Sequence, residues 1–318
     1  MIDKWSSLHV FFHDFSNIET VLHRLIWPSL QSNIINAEIK KYFFIRYWEG
    51  GPHLRIRYII QEGTDPEEFT ERLIGSWTDY LLKHPSAIEL EKETFYQSHS
   101  LEGKSKNIIP SLPWFPNNSV QKVPYIPEIE RYGGKVGIQI AEEYFCFSSE
   151  FVREILQNQH LNTNRMAVAL DIMYIIFKSF CEDDLKMEEY EGFWSQYAKG
   201  WLDWESVEYV EKIRLKAEMQ VKKLGEQLKV NLETMWNQFK LNGVYRGIKS
   251  NNLLGMMSTI AQLTKSVPLI DFNNTSERRI IGSYMHMHNN RLGVYPAQEA
   301  YLSLLLEGMY QYKPYYAM

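Results

Sequence analysis

Hydrophobic and polar side chains alternate in three short runs of the first sixty residues. Residues 8–13, 41–48 and 54–60 are rich in aromatic and β-branched side chains, as strands usually are. The second and third runs flank the dipeptide Gly50-Gly51, a combination typical of a tight turn. The pattern therefore predicts one strand that is followed later by a β-hairpin.

Two helices are predicted on either side of this hairpin. Ser16 is a suitable N-cap for a helix that continues to about Asn33. Asp65 followed by Pro66 indicates a second helix start, and that helix is expected to run to about Lys83. The order strand, helix, strand, strand, helix is that of a ferredoxin-like module. Residues 1–98 are therefore predicted to form an α+β part with a ferredoxin-like mixed sheet.

A Pro-rich segment separates this part from the rest of the chain. Residues 99–128 combine Ser, Lys and Asn with five prolines, which predicts a long loop that could cover a site as a lid. Beyond it the hydrophobic period becomes helical, so 129–318 is expected to be mainly helical, with 205–240 as one long helix or two. The whole chain, 1–318, is interpreted as a single α+β domain. The predicted helices of its second half are 148–158, 162–181, 188–199, 205–240, 251–264 and 296–311.

Composition and charge exclude several classes of protein. With 318 residues, 45% of them hydrophobic, the chain is long enough to bury a core, and its net charge of −5 does not favour generic nucleic-acid binding. The two cysteines, Cys146 and Cys181, have neither metal-ligand nor disulfide spacing, which is typical of a reducing cytoplasm. Residues 1–12 lack a signal-peptide pattern, and the apolar run 166–177 is too short to span a bilayer. A soluble cytoplasmic protein without membrane contact is expected.

The strand after the double glycine carries a row of basic side chains. Because side chains alternate along a strand, His53, Arg55 and Arg57 should share one face, opposite Leu54 and Ile56. Two guanidiniums on neighbouring same-face positions can bind a carboxylate through forked hydrogen bonds. On spacing alone the same pattern also fits the solvated face of an ordinary amphipathic strand.

A second candidate segment precedes the helical half. Arg131 lies just before the pair Gly133-Gly134, which allows a sharp backbone turn or a close approach to a ligand. In isolation, Arg131 is interpreted as one half of a surface ion pair with Glu128 or Glu130.

The third segment lies near the end of the chain. His286 and His288 are two residues apart, which is not the spacing of a helical metal-ligand pair. A histidine here could exchange protons near neutral pH, or it could be a structural residue. Asn290 and Arg291, just before Gly293, could also belong to the end of a helix.

In this order the three segments resemble a known family. They are Gly-Gly-Pro-His-Leu-Arg-Ile-Arg at 50–57, Glu-Arg-Tyr-Gly-Gly at 130–134 and His-Met-x-x-Asn-Arg-Leu-Gly at 286–293. The chain resembles the thiopeptide-type bacteriocin biosynthesis domain, which is also the C-terminal glutamate-elimination domain of lantibiotic dehydratases. The resemblance covers nearly the whole chain. The larger glutamylation domain of the full-length dehydratases has no counterpart in this sequence, so the chain resembles the stand-alone form.

The resemblance implies one of two activities. The first is β-elimination of glutamate from glutamylated Ser or Thr of a ribosomally made precursor peptide, which leaves dehydroalanine or dehydrobutyrine. The second is pyridine synthesis, a formal [4+2] cycloaddition of two dehydroalanines with macrocyclisation and release of the leader peptide. In this family the elimination branch is marked by four residues, and all four are present here. Elimination is therefore the favoured hypothesis. They are Arg55, Arg57, Arg131 and His286.

Roles for these residues follow from the chemistry of elimination. His286 is assigned to proton transfer, and Arg131 to stabilisation of the developing charge. Arg55 and Arg57 are assigned to binding the glutamyl carboxylate. Four neighbours are second-rank candidates for substrate binding, namely His53, Tyr132, His288 and Arg291.

The resemblance also sets expectations for partners. A precursor peptide with its leader and a separate glutamylation protein that uses glutamyl-tRNA are expected, and that protein rather than this chain would contact the nucleic acid. No cofactor and no metal are implied, and a homodimer is left open. A third hypothesis, from a non-enzymatic class of function, is that the chain is a non-catalytic peptide-binding subunit of the biosynthetic complex.

Overall fold

The chain folds into two compact units in the computed structural model. The structure describes residues 4–98, 111–157, 164–181, 192–203, 205–246, 248–249, 251–266 and 275–311. The first unit comprises Met1–Pro127 and Ser148–Gln157, and the second comprises Glu128–Phe147 and Asn158–Met318.

The first unit consists of a sheet and its helices. Asp65 caps the helix that begins at Pro66, since its carboxylate accepts hydrogen bonds from the amides of Glu67 (3.0 Å) and Glu68 (2.8 Å). The predicted hairpin and the predicted helix from Pro66 to Lys83 are confirmed. The elements are β1 (Trp5–Phe11), a 3₁₀ turn (Phe15–Asn17), α1 (Ile18–Val21), a π-helical turn (Leu22–Ile26), α2 (Trp27–Ile35), β2 (Ile39–Tyr47), β3 (His53–Ile60), α3 (Pro66–Lys83), α4 (Lys92–Ser98) and β4 (Ser119–Lys122).

The four strands form one antiparallel sheet in the order β2-β3-β1-β4. This is the strand order of a ferredoxin-like module, and the α+β fold class is confirmed. The expected mixed sheet is corrected to a purely antiparallel one, since all three strand pairings are antiparallel. The prediction that 99–128 is only a loop is wrong for Ser119–Lys122, which pairs with β1 as the edge strand β4. A strand of four residues is too short to show a period of two, so the sequence carried no signal for it. Residues 99–110 of the predicted loop lie outside the described residues.

One face of the sheet is apolar and packs against helices. Leu54, Ile56 and Tyr58 of β3 are fully buried together with Trp27 of α2 and Trp77 of α3. The Tyr58 hydroxyl also hydrogen-bonds to Thr70 of α3 (3.1 Å). Burial of these large side chains is the main stabilising contribution in this unit. Because side chains alternate along a strand, His53, Arg55 and Arg57 of β3 lie on the opposite face of the sheet.

The second unit is mostly helical, as predicted. Its core helix is α6, in which nearly every side chain is buried. Asp171 on this helix accepts hydrogen bonds from the Tyr245 hydroxyl (2.8 Å) and from Arg246 (2.8 Å). The elements are a 3₁₀ turn (Glu130–Tyr132), α5 (Gly134–Gln157), α6 (Arg165–Phe180), α7 (Phe193–Leu202), α8 (Val207–Asn242), β5 (Val244–Tyr245), β6 (Ile248–Lys249), α9 (Asn251–Ser266), α10 (Thr275–Leu292) and α11 (Pro296–Gln311).

Two helix predictions need correction. Helix α5 begins at Gly134 rather than at residue 148, and its last ten residues, Ser148–Gln157, belong to the first unit. Helix α10 was not predicted, because its buried positions include polar side chains such as Asn289 and Arg291 and so hide the helical period. The segment 205–240 is a single helix, α8. The predicted helical positions 158, 162–163 and 188–191 lie outside the described residues.

Within the described ranges, no helix combines the length and the apolar character needed to cross a bilayer.

Candidate active site

The basic residues of the first unit lie on one face of β3, as the alternation predicts. Arg55 is paired with His9 of β1, and Arg57 with Ser7 of the same strand. Arg57 is buried and Arg55 is half-buried. This burial rules out the solvated-face interpretation for Arg57.

His53 holds Arg55 in place rather than acting as a base. Its Nε2 accepts a hydrogen bond from the Arg55 Nε (3.2 Å), because a guanidinium can only donate. Its Nδ1 therefore carries the proton and donates to the Gly51 carbonyl (2.7 Å). Burial, reinforced by the charges of Arg55 and Arg57, lowers the pKa of His53 to about 3. The ring is neutral and both of its nitrogens are occupied.

Aromatic rings surround both guanidiniums. The Arg55 guanidinium lies 3.4 Å from the centroid of the Tyr47 ring. The Arg57 guanidinium lies 4.6 Å from the centroid of Tyr125 and 5.4 Å from that of Phe43. Cation–π contacts of this kind orient a guanidinium without neutralising its charge. This face can therefore present oriented positive charge to an anionic group.

His9 belongs to the same cluster and was missed in the sequence. It is buried, and its ring stacks on that of His53 with centroids 4.8 Å apart. Burial lowers the pKa of His9 to about 2, and the positive charges of Arg55 and Arg57 act in the same direction. The histidine is therefore neutral. Only its strand position, opposite Arg55, could have revealed it.

Arg131 of the second unit is positioned by the 3₁₀ turn Glu130–Tyr132. Gly133 follows in the left-handed region, at φ +83°, which an L side chain rarely adopts. The Arg131 Nε donates to the Ser283 hydroxyl (3.0 Å) on α10, and its Nη1 donates to Glu128 (3.2 Å). The side chain remains 41% exposed. The predicted ion pair with Glu128 thus coexists with a contact to α10.

His286 lies on α10 with a buried carboxylate beside it. Its Nδ1 is 2.9 Å from the Glu299 Oε1 on α11. The Trp201 ring of α7 packs against the imidazole at 4.6 Å between centroids. The His286 side chain is 21% exposed, whereas Glu299 is fully buried. The imidazole can therefore meet a ligand while the carboxylate holds its Nδ1.

Arg131 and His286 line the same pocket, which has a volume of 420 Å³. Arg278 and Arg279, from the first turns of α10, line it as well. Arg278 also donates to the Gln196 side chain (3.3 Å). Among the residues that the structure describes, no Asp or Glu lines this pocket, although Glu128 offsets part of the Arg131 charge. Three guanidiniums and an imidazole around one cavity suit an anionic ligand.

Arg278 and Arg279 were missed because α10 was not predicted. Arg278 and Arg279 precede His286 by eight and seven residues, which is about two helical turns. Residues at this spacing lie on one face of a helix. The sequence Arg278-Arg279 would have been a signal for the site if 275–292 had been interpreted as helical. Glu299 carries no such signal, since it belongs to a different helix.

Three of the second-rank residues are buried in the second unit. His288 is two residues beyond His286, so the two side chains point to different sides of α10. Burial lowers the pKa of His288 to about 3. Arg291 is fully buried and donates to the Met287 carbonyl (2.7 Å), and Tyr132 packs its ring against Tyr284. All three are at most 2% exposed, which argues against direct contact with a substrate.

The predicted catalytic residues thus fall into two groups. Arg55 and Arg57 belong to the first unit, and Arg131 and His286 share a pocket in the second. That all four act on one substrate stays a prediction. In the described part of the chain, no group of three or more His, Cys, Asp or Glu residues could hold a metal ion.

Comparisons with known proteins identify the family. The sequence profile of the lantibiotic biosynthesis dehydratase C-terminal family matches residues 5–310. The epidermin biosynthesis protein EpiB of Staphylococcus epidermidis is 22% identical over 316 residues, which is 99% of this chain but only 27% of that protein. This chain therefore spans about a quarter of the length of that relative.

Solved structures share the fold. The pyridine synthase TbtD from thiomuracin biosynthesis has a TM-score of 0.70 at 14% identity, covering 97% of this chain and 98% of TbtD. The tRNA-dependent lantibiotic dehydratase MibB from Microbispora sp. 107891 has a TM-score of 0.58 at 16% identity, covering 96% of this chain and 28% of MibB. The profile match spans nearly the whole chain, and the chain belongs to the lantibiotic biosynthesis dehydratase C-terminal family.

Proposed function

We propose that this chain catalyses β-elimination of glutamate from glutamylated Ser and Thr side chains of a ribosomally made precursor peptide. The products are dehydroalanine or dehydrobutyrine and free glutamate. The observation that carries the proposal is the pocket of the second unit, in which His286 lies beside Arg131, Arg278 and Arg279. A base next to a cluster of cations is the arrangement that removing a proton and expelling a carboxylate requires.

His286 is the proton-transfer residue in this proposal. It removes the acidic Cα proton of the esterified residue, and the electron pair of the C–H bond forms the new double bond while the ester C–O bond breaks. The glutamate leaves as a carboxylate with the electron pair of that C–O bond. Arg131 stabilises the negative charge that develops, and Arg278 and Arg279 add to the positive potential.

Arg55 and Arg57 are proposed to bind the free carboxylate of the glutamyl group. Arg55 is already oriented by His53 and by the Tyr47 ring, so little conformational entropy remains to be lost on binding. The burial of Arg57 strengthens its interaction with an anion, because the local dielectric constant is lower than that of water.

A glutamylated Ser/Thr peptide incubated with the protein tests the proposal directly. The expected result is loss of glutamate from the peptide, seen by mass spectrometry, with dehydro residues at the former ester positions. A His286→Asn variant should leave the esters intact. Esters that survive long incubation with the wild-type protein would overturn the proposal.

Pyridine synthesis is the second candidate function. TbtD is itself a pyridine synthase, and the two chains cover each other almost completely, although 14% identity establishes only the fold. A cycloaddition expels no glutamate, so it would gain less from a cluster of guanidiniums. A peptide with two dehydroalanines, offered in parallel, should then yield a macrocycle and a released leader. A non-catalytic subunit would convert neither substrate and would tolerate alanine at Arg131 and His286.

The partners expected from the family follow from this chemistry. The substrate is a precursor peptide with its leader, glutamylated beforehand by a separate protein that uses glutamyl-tRNA, in the cytoplasm. No cofactor is required, because elimination involves neither oxidation nor reduction. Reconstitution with candidate glutamylation proteins would identify the partner, and light scattering of the purified chain would decide whether it is a homodimer.

A further inference from the structure

Glu299 is a buried carboxylate next to the proposed base. It lies in the first turn of α11, is 0% exposed, and places Oε1 2.9 Å from the His286 Nδ1. A carboxylate without water around it is unfavourable unless its oxygens receive hydrogen bonds. The presence of a buried carboxylate at this position therefore needs a physical reason.

Tyr197 of α7 satisfies the other oxygen of this carboxylate. The Tyr197 hydroxyl lies 2.5 Å from the Glu299 Oε2. Burial, followed by the nearby charge of Glu299, raises the pKa of Tyr197 well above its usual range. The phenol therefore stays protonated and donates its proton to Glu299. With one oxygen held by Tyr197, the other is fixed in position to accept from His286.

An acceptor at Nδ1 decides which nitrogen of His286 carries the proton. The neutral imidazole donates from Nδ1 to Glu299, so its lone pair lies on Nε2, on the far side of the ring. We propose that Glu299 and Tyr197 act as positioning residues that hold His286 in the Nδ1–H tautomer, with Nε2 as the atom that takes the substrate proton. This inference rests on the proposed function.

The surroundings of the ring favour this role over a purely structural ion pair. The Trp201 ring packs against the imidazole at 4.6 Å between centroids, which limits rotation of the ring. His286 nevertheless lines the arginine-rich pocket and is 21% exposed. A pair that served only stability would not need an imidazole that lines such a pocket.

The pair also stabilises the charge that forms during elimination. When Nε2 takes the Cα proton, the imidazole becomes a cation, and Glu299 remains an anion 2.9 Å from Nδ1. The carboxylate does not itself take the proton. The proton leaves Nε2 afterwards, to the expelled glutamate or to water, and the neutral Nδ1–H tautomer is restored.

Long-range ¹H–¹⁵N NMR of the histidine side chains reads the tautomer independently of activity. The signals of His286 are assigned by their loss in His286→Asn. We expect the neutral imidazole of the wild-type protein to show a protonated Nδ1 and a lone-pair Nε2. Glu299→Gln should mix the two tautomers, because an amide can either donate or accept. Glu299→Ala should shift the ring further towards the Nε2–H form.

Kinetics supply the second measurement. Glu299→Gln should lower kcat roughly 100-fold, as the loss of a partner that orients an imidazole does elsewhere. KM should change less than about threefold, since Glu299 does not line the pocket. Tyr197→Phe should lower kcat by about tenfold, because one hydrogen bond to Glu299 is lost while its carboxylate remains. Glu299→Asp should recover part of the activity lost in Glu299→Gln.

The control is Glu307→Gln, which removes the same charge from the same helix and should change neither tautomer nor kcat. An unchanged His286 tautomer in both Glu299→Gln and Glu299→Ala would overturn the inference. If Glu299→Gln does not fold, Glu299→Asp and Tyr197→Phe carry the same NMR measurement. Absence of elimination by the wild-type protein, with the tautomer still dependent on Glu299, would instead count against the proposed function.

Discussion

Arg55 and Arg57 carry the same charge on the same strand face, yet their surroundings differ. Arg55 is half-buried and hydrogen-bonded to His53, whereas Arg57 is buried among aromatic rings. Stacking on Phe43 and Tyr125 needs the flat guanidinium, which an ammonium cannot replace. The two arginines are therefore not equivalent, and Arg57 should be the more sensitive to substitution by lysine.

We expect Arg57→Lys to lower kcat/KM for elimination by roughly 10- to 100-fold, the range implied by loss of a hydrogen bond to a charged group. Lysine keeps the charge but cannot form a forked contact with a carboxylate. Steady-state kinetics with a glutamylated peptide measures the effect. Arg72→Lys, at an exposed arginine of α3, is the matched control and should be silent. Full activity of Arg57→Lys would contradict the assigned role.

Arg278 and Arg279 should contribute through their charge. Replacing both by alanine removes two of the three guanidiniums that line the His286 pocket. We expect a fall in kcat/KM of about tenfold or more at low salt and a smaller fall at high salt, since screening weakens long-range attraction. Arg214→Ala, at an exposed arginine of α8, is the control. An equal effect of both substitutions would show that only net charge matters.

At the level of single elements, the turn between β2 and β3 sets the position of Arg55. Gly51 adopts φ +101°, and its carbonyl receives the proton of the His53 Nδ1. A Cβ on Gly51 would lie 3.2 Å from the His13 ring. The turn, His53 and Arg55 therefore form one chain of contacts, and a change at the turn should reach the guanidinium.

Gly51→Ala should destabilise the protein by roughly 1–3 kcal/mol, because alanine is strained at this backbone conformation. It should also lower elimination activity by displacing His53. Gly75→Ala is the matched control: Gly75 lies in α3, and no atom lies within 4 Å of an added Cβ. There alanine should stabilise the helix by roughly 0.5–1 kcal/mol. Urea unfolding gives both values, and equal stability of the two variants would refute the strain argument.

Helix α10 shows why part of the site escaped prediction. Its pocket face carries Arg278, Arg279 and His286, while the buried remainder includes His288 and Arg291. Polar side chains on several sides of a helix remove the apolar stripe by which amphipathic helices are identified. The motif at 286–293 is recognisable from the sequence alone, whereas Arg278 and Arg279 join it only through the helical spacing of eight and seven residues to His286.

Over the whole molecule, buried neutral histidines should make stability depend on pH. The pKa is lowered to about 2 for His9 and to about 3 for His53 and His288. In the unfolded chain each should titrate near its usual pKa of about 6.5. Below that value the unfolded state takes up protons that the folded state does not. Stability is therefore complete above about pH 6.5 and falls as the pH drops towards the folded pKa values.

Each of these histidines should contribute a loss of up to about 1.4 kcal/mol per pH unit below pH 6.5. Urea unfolding at pH 7.5, 6.0 and 5.0 measures the slope. His53→Gln should reduce the slope, whatever it does to stability at pH 7.5, whereas His84→Gln, at an exposed histidine, should leave it unchanged. A stability that does not vary across this range would contradict the burial of these groups as neutral imidazoles.

Local patterns in the sequence were sufficient for much of the first unit. Strand alternation placed His53, Arg55 and Arg57 on one face, and Asp65-Pro66 located the start of α3, because both effects act between residues close in sequence. The short edge strand β4 was missed, since its stability comes from pairing with β1, more than a hundred residues earlier. Motif order was enough to indicate the family.

The environment of each site residue depended on the tertiary structure. Arg131 contacts Ser283 on α10, 152 positions away, and His286 contacts Glu299 on α11. No local pattern encodes such pairs, because packing between helices, rather than spacing along the chain, brings them together. Burial likewise depends on the whole fold: His286 remains open to the pocket, whereas His288, two residues further on, is enclosed and neutral.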